Sequence, residues 1–170
     1  MKNLWIKVAA LFAGILVAAT TPHARAEVPE QIAEVFGERL VNAEGKQVSS
    51  ADLAGKKIGL YFSAEWCPPC RAFTPLLVNA YNELRAEGKP FEVIFVSHDR
   101  TARAMRNYMR GYEMPWLAVP FDSALRDALK QKHNIRGIPT LVIVNDQGVV
   151  LSSNGRNEVT SRGAAAFNNW

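Results

Sequence analysis

The chain has only two cysteines in 170 residues, too few for the disulfide framework of a small extracellular scaffold. They sit three positions apart, as Cys67 and Cys70. A bridge across so short a segment hardly constrains the unfolded chain, so the pair points to chemistry rather than to stapling. Histidine is equally scarce, with His23, His98 and His133 alone. A zinc site built on Cys67 and Cys70 needs a second ligand pair, and the sequence offers none at suitable spacing. Haem attachment needs a histidine directly after the second cysteine, where Arg71 stands. No metal and no cofactor is therefore expected.

Acidic residues are absent before Glu27, and no apolar run reaches the roughly 20 residues of a transmembrane helix. What stands there has the form of a secretory signal. Lys2 and Lys7 precede the uncharged stretch Val8 to Ala19, Pro22 breaks it, and Ala24-Arg25-Ala26 is an A-x-A type cleavage site. Residues 1–26 are read as a cleaved signal, with an uncleaved membrane anchor as the rival, and 27–170 as one domain. The formal charge of +4 comes from 20 Lys and Arg against 16 Asp and Glu. Lys2, Lys7 and Arg25 belong to the signal, so residues 27–170 carry 17 against 16, or +1. That balance gives no reason to expect nucleic-acid binding. A charged fraction of 21% with 48% hydrophobic residues fits a chain that buries a core. Repeats and low-complexity tracts are missing as well.

Apolar periodicity sets the order of elements. Glu30 to Phe36 forms a short amphipathic lead-in. Arg39 to Ala43 and Lys46 to Ser49 flank Glu44-Gly45 as a hairpin. Ile58 to Ser63 and Phe91 to Ser97 read as buried strands. Between them Phe73, Leu76, Leu77, Ala80, Tyr81 and Leu84 recur at helical spacing, with Pro75 expected to kink the helix. Thr101 to Arg110 is predicted helical and ends at Gly111. Asp122 is expected to cap a helix running to about Lys132. Thr140 to Val144 and Val149 to Leu151 form a hairpin around Asn145-Asp146-Gln147-Gly148, and Glu158 to Phe167 is predicted as a last helix. Strands alternating with helices and closing on a hairpin imply an α/β fold with a central mixed β-sheet.

The motif Trp66-Cys67-Pro68-Pro69-Cys70 falls where a strand ends and a helix begins. Only a thiolate attacks a disulfide, and a free thiol near pKa ~8.5 supplies little of it at neutral pH. The unpaired N–H groups and partial positive charge of a helix N-terminus favour the anion. Cys67 then attacks a partner, and Cys70, one turn further in, resolves the mixed disulfide. Pro68 and Pro69 suit a first helical turn and stiffen it. They also remove two donors, so weaker thiolate stabilisation is expected than at a donor-rich helix start.

Tyr61-Phe62-Ser63-Ala64-Glu65-Trp66-Cys67-Pro68-Pro69-Cys70-Arg71-Ala72-Phe73-Thr74-Pro75 resembles the thioredoxin superfamily, specifically its tryparedoxin/nucleoredoxin branch. Phe91-Glu92-Val93, Met114 to Phe121 and Ile138-Pro139-Thr140-Leu141 resemble it too, and the similarity runs from about Glu38 to Val159. The resemblance implies a thioredoxin fold with helices on both faces of the sheet. It implies a cis Pro139 facing the cysteines, with the Ile138 backbone open to a substrate strand. Trp66, Pro68 and Pro69 join Ile138 and Pro139 as the implied substrate surface. Tyr61 stands where typical thioredoxins carry a buried aspartate, and its phenol either hydrogen-bonds near the sulfurs or fills the core. His98 stands where the branch often has Trp, either tuning the thiol or lying solvated in a loop. Glu92 sits in an apolar strand, either at a sheet edge or as a buried proton acceptor for Cys70. Glu65 reads as a rim charge, and Arg103, Arg106 and Arg110 as a solvated basic face.

The implied activity is thiol–disulfide exchange on disulfide-containing protein substrates, run as a reductant by a monomer fed by an upstream electron donor such as a membrane thiol carrier. Cytochrome c maturation is one specialised form of that task. A non-catalytic adaptor using the Pro139 groove is the competing reading. The leader segment implies an exported, periplasmic protein, soluble after cleavage.

Overall fold

The structure, a computed structural model, describes residues 27–170. The leader segment 1–26 lies outside the described residues. No helix among those described is long and apolar enough to cross a membrane.

Seven strands form one sheet: β1 (Arg39–Val41), β2 (Gln47–Ser49), β3 (Lys57–Ser63), β4 (Phe91–Ser97), β5 (Leu117–Ala118), β6 (Thr140–Val144) and β7 (Val150–Ser152). Their spatial order is β2-β1-β5-β4-β3-β6-β7. β3, β4 and β5 run parallel, while β1, β2, β6 and β7 pair antiparallel. Five helices cover the sheet: α1 (Glu30–Phe36), α2 (Pro68–Ala86), α3 (Ala102–Gly111), α4 (Ala124–Lys132) and α5 (Gly155–Arg162). This is the thioredoxin fold that the resemblance implied.

The strand period of two splits the core into two layers. On β3, Ile58, Leu60 and Phe62 face a cluster with Ile32 and Phe36 of α1 and Leu129 of α4. Tyr61 faces the other way, among Phe73 and Leu77 of α2 and Tyr108 of α3. β3 and β4 read as continuous apolar runs because both of their faces are covered. On α2 the buried stripe is Phe73, Leu77, Ala80, Tyr81 and Leu84, whereas Leu76 falls outside it and is exposed. Pro75 lies inside α2, and the helix continues through it to Ala86.

Two boundaries depart from the sequence reading. Ser123, not Asp122, caps α4, because its hydroxyl accepts the Leu125 N–H at 3.2 Å. The last helix begins at Gly155 rather than Glu158, and a 3-10 segment takes over from Gly163 to Asn169. A side chain at Gly155 would meet the Leu141 carbonyl at 2.9 Å, so a bare backbone lets this helix start against β6. Gly163, at φ 56°, ends it.

Candidate active site

β3, an interior strand, delivers the chain to its C-terminal end at Ser63, and α2 departs from Cys67. Cys67 is the N-cap of α2 in extended conformation. Pro68 and Pro69 occupy the next two positions and carry no N–H. The donor that reaches the Cys67 sulfur is therefore the Cys70 N–H, at 3.3 Å. Cys67 and Cys70 are joined as a disulfide, with Cα atoms 5.2 Å apart. Cys70 is fully buried, and Cys67 keeps 4% of its surface. Cys67 is thus the less deeply buried of the two. The Ile138–Pro139 peptide is cis, and the Ile138 carbonyl lies 3.7 Å from the Cys67 sulfur. A bonded sulfur has no proton, so this is a contact here and a hydrogen-bond acceptor for the reduced thiol.

Trp66 is 54% exposed beside the pair. Its indole N–H donates to the His98 carbonyl at 3.2 Å, which fixes an apolar face at the opening. Pro68 and Pro69 are exposed, and Ile138 is half-buried against Cys67 and Cys70. Of the five implied substrate-contact residues, Trp66, Pro68 and Pro69 are thus exposed, Ile138 is half-buried and Pro139 is buried.

The other three candidates behave differently. Tyr61 is fully buried, and its hydroxyl does not bond the sulfurs. It lies 3.4 Å from the Cys70 carbonyl and 2.7 Å from Thr74 Oγ1. Tyr61 therefore fills the core, and its hydroxyl bonds the Cys70 backbone rather than a sulfur. Ser63, Thr74 and Tyr108 complete a closed ring of hydroxyls with it. Ser63 donates to Tyr61 at 2.9 Å and lies 3.1 Å from Tyr108 Oη, which lies 2.5 Å from Thr74. Thr74 also donates to the Cys70 carbonyl at 2.9 Å. Burial and the neighbouring Tyr108 raise the Tyr61 phenol well above its ordinary range, so it stays protonated.

Glu92 is not brought to the pair. Strand register sets Glu92 beside Ile58 and Ser97 beside Ser63. Roughly 16 Å of strand separates it from the dithiol end of the sheet. There it accepts the Tyr81 hydroxyl at 2.8 Å and pairs with Lys56 and Arg85 at 3.6 and 3.7 Å. A charged residue was legible in that strand; its distance from the cysteines depended on register.

His98 is half-buried rather than solvated, with its ring edge-on to Phe62 at 6.2 Å. Burial, then Lys130 and Arg126 of α4, lower its pKa, while Asp127 opposes them. Burial and Lys132 lower that of His133 as well. A depressed histidine stabilises the fold above its unfolded value of 6.5, and that contribution is lost as pH falls. The urea midpoint is therefore expected to drop below about pH 6.5. Substituting both histidines by Gln should flatten that part of the profile; an unchanged slope would remove them as its cause.

The sequence reading missed Asp99. It is 6% exposed, and its carboxylate accepts the Glu65 N–H and the Ser97 hydroxyl, both at 2.8 Å. Burial raises its pKa, opposed by those two hydrogen bonds. Asp99 ties the loop after β4 to the loop that carries Trp66. Its only signal was a short acid two residues after an apolar strand, a position where such side chains bind nearby backbone. Asp99→Ala is expected to cost about 1–3 kcal/mol in equilibrium unfolding, because it leaves buried donors unpaired. Asp99→Asn keeps a carbonyl for Glu65 and should cost less; equal losses would deny the hydrogen bond its role.

A strand, a Cys-x-x-C helix start and a facing cis proline now stand together, and known families can be compared with them. The family model described as thioredoxin-like matches residues 55–150.

The chain belongs to the thioredoxin-like family.

Its relatives place it in the tryparedoxin/nucleoredoxin-like branch. Probable nucleoredoxin 1 of Arabidopsis thaliana is 50% identical over 129 residues, covering 75% of this chain and 22% of that protein. Nucleoredoxin of Homo sapiens is 44% identical over 132 residues, covering 77% and 30%. This thioredoxin-like chain thus spans about a third or less of the nucleoredoxins it matches. Tryparedoxin II from C. fasciculata superimposes with a TM-score of 0.71 at 37% identity, covering 79% of this chain and 90% of that one. Thioredoxin from Wuchereria bancrofti gives 0.69, also at 37%, covering 79% and 93%.

Proposed function

We propose that this thioredoxin-like chain is a thiol–disulfide oxidoreductase that reduces disulfides in protein substrates. The observation that carries the reading is the Cys67–Cys70 bond at the start of α2, with Cys67 at the helix N-cap less deeply buried than Cys70. In the reduced state the Cys67 thiolate attacks a substrate disulfide and releases one substrate thiol. Cys70 then attacks the mixed disulfide, releases the second and restores the Cys67–Cys70 bond. Two electrons and two protons pass to the substrate in each cycle.

The leader segment supports export to an oxidising compartment such as the periplasm, with the described domain soluble after cleavage. There a membrane thiol carrier is the fitting electron donor, since the cytosolic reducing systems do not operate outside the cell. The protein is read as a monomer. Reduction of insulin by dithiothreitol, followed by turbidity, tests the activity: the protein should accelerate it well above the background. No acceleration would end the reading. A reduction potential near the about −270 mV of thioredoxin supports a reductant, and one near about −120 mV would make it an oxidant.

A further inference from the structure

Residues 27–170 carry a net charge of only +1, and few of their cations are spent in ion pairs. The ion pairs among the described residues are Lys56–Glu92 and Arg85–Glu92, both at the end of the sheet remote from the cysteines. On the segments beside Trp66, on α4 next to His98 and on the loop before Pro139, Arg71, Arg100, Arg126, Lys130 and Arg136 have no carboxylate partner within 4.0 Å among the described residues.

Two walls hold them. On one side Trp66, Arg71, Arg100 and Ala104 line an open cleft of about 430 Å³, together with Glu65 and Asp99. Arg71 donates to the Glu65 carbonyl at 3.0 Å, which positions the guanidinium without neutralising it. The Asp99 carboxylate is turned to the Glu65 N–H and the Ser97 hydroxyl. On the other side Arg126 of α4 stacks on Phe121 at 4.2 Å. Arg126 and Lys130 both act on His98, whose carbonyl holds Trp66. His98 Nε2 and Arg126 Nη1 are buried without a partner among the described residues. Arg136 is exposed two residues before Ile138, on the loop that enters the Pro139 turn. Taken as residues 65–71, 99–104, 121–132 and 136, these segments hold the acids Glu65, Asp99, Asp122 and Asp127 and also the cations Arg103 and Lys132. Seven cations against four acids give the rim +3, leaving the rest of residues 27–170 at −2.

We infer that this rim is a docking surface for acidic polypeptide, and that the preferred substrates carry Asp or Glu beside the disulfide to be reduced. The inference rests on the oxidoreductase reading and adds the class of substrate. Guanidinium groups meet carboxylates in two-point hydrogen bonds, and unpaired cations beside a small opening raise the local concentration of anionic partners. Trp66 supplies apolar contact to the residues between them. The sulfur chemistry is the two-electron exchange given above, with the protein dithiol as reductant.

The test uses the pre-reduced protein in single turnover by stopped flow. Three peptides of equal length each carry one internal disulfide, flanked by glutamates, serines or lysines. At low salt the glutamate peptide should react about tenfold faster than the lysine peptide. The gap should close as salt shortens the screening length from about 30 Å at 0.01 M to about 10 Å at 0.1 M. Two double variants, Arg100→Glu with Arg136→Glu and Arg126→Glu with Lys130→Glu, should each lower the glutamate-to-lysine ratio at least threefold, with folding checked by circular dichroism. Equal rates for the two charged peptides overturn the inference, as does a preference that ignores salt or survives in both variants. Failure to reduce any of the three peptides overturns the oxidoreductase reading instead.

Discussion

Cys67→Ser is expected to bring insulin reduction down to the uncatalysed rate, whereas Cys70→Ser should still attack and then stall. The asymmetry follows from position. Cys67 keeps 4% of its surface at the opening, and its sulfur is the one that meets the Cys70 N–H and faces the Ile138 carbonyl. Cys70 is sealed beneath it, so a substrate sulfur cannot reach it first. Serine at 67 removes the only accessible nucleophile, and a hydroxyl does not replace a thiolate in disulfide exchange. Serine at 70 leaves the first attack intact and deletes the second. The Cys70→Ser protein should accumulate as a mixed disulfide with substrate, seen by mass spectrometry as an adduct that dithiothreitol removes. Full activity in Cys67→Ser would hand the fold to the adaptor reading. Trapping by Cys67→Ser but not by Cys70→Ser would reverse the two roles.

Replacing Tyr61 by Ala should cost about 3–5 kcal/mol of stability, as for other large aromatic truncations in a sealed core. Its ring packs against Phe73 at 5.8 Å, Phe95 at 6.0 Å and Trp116 at 6.4 Å. Truncation opens a cavity between α2 and the sheet and breaks the hydroxyl ring at once. Tyr61→Phe separates the two contributions. It keeps the ring and leaves Ser63 and Thr74 short of a partner, so about 1–3 kcal/mol is expected. The ring holds four O–H protons. They serve four contacts around it and two to the Cys70 carbonyl. Two contacts therefore always lack a proton, and deleting one hydroxyl need not cost a full bond. Urea unfolding of Tyr61→Phe, Thr74→Val and the double variant measures this. Coupled neighbours should fall short of additivity, and strictly additive losses would mean the ring does not act as a unit.

Much of the fold was legible because its elements are regular. β4 matches the apolar run Phe91 to Ser97 residue for residue, and α2 follows the recurrence from Phe73 to Leu84. β5 was not read as a strand, because two residues carry no period. Leu76 was assigned to the buried stripe of α2, and the helix turns it to solvent beside Leu77. Asp122 and Ser123 are both competent caps, so composition could not choose between them. In the site, Cys67, Cys70, Trp66 and Pro139 were found by their motifs. Glu92 misled because its strand was read correctly while its height along the sheet was not.

The cysteine pair with which the chemistry began was determined by the sequence alone. With only two cysteines, three apart at a strand-to-helix junction, metal, haem and structural bridging lose their ligands, and dithiol exchange is left. The tertiary structure decided which sulfur is reachable, what hydroxyls lie beneath it and which charges ring it. Those properties depend on groups far apart in the chain: 71 residues separate Cys67 from Ile138, 45 separate Ser63 from Tyr108, and 34 separate Glu65 from Asp99. Hydrogen bonds act through space over a few ångströms and electrostatic fields over about 10 Å, and periodicity along the chain records only neighbours a turn or two away.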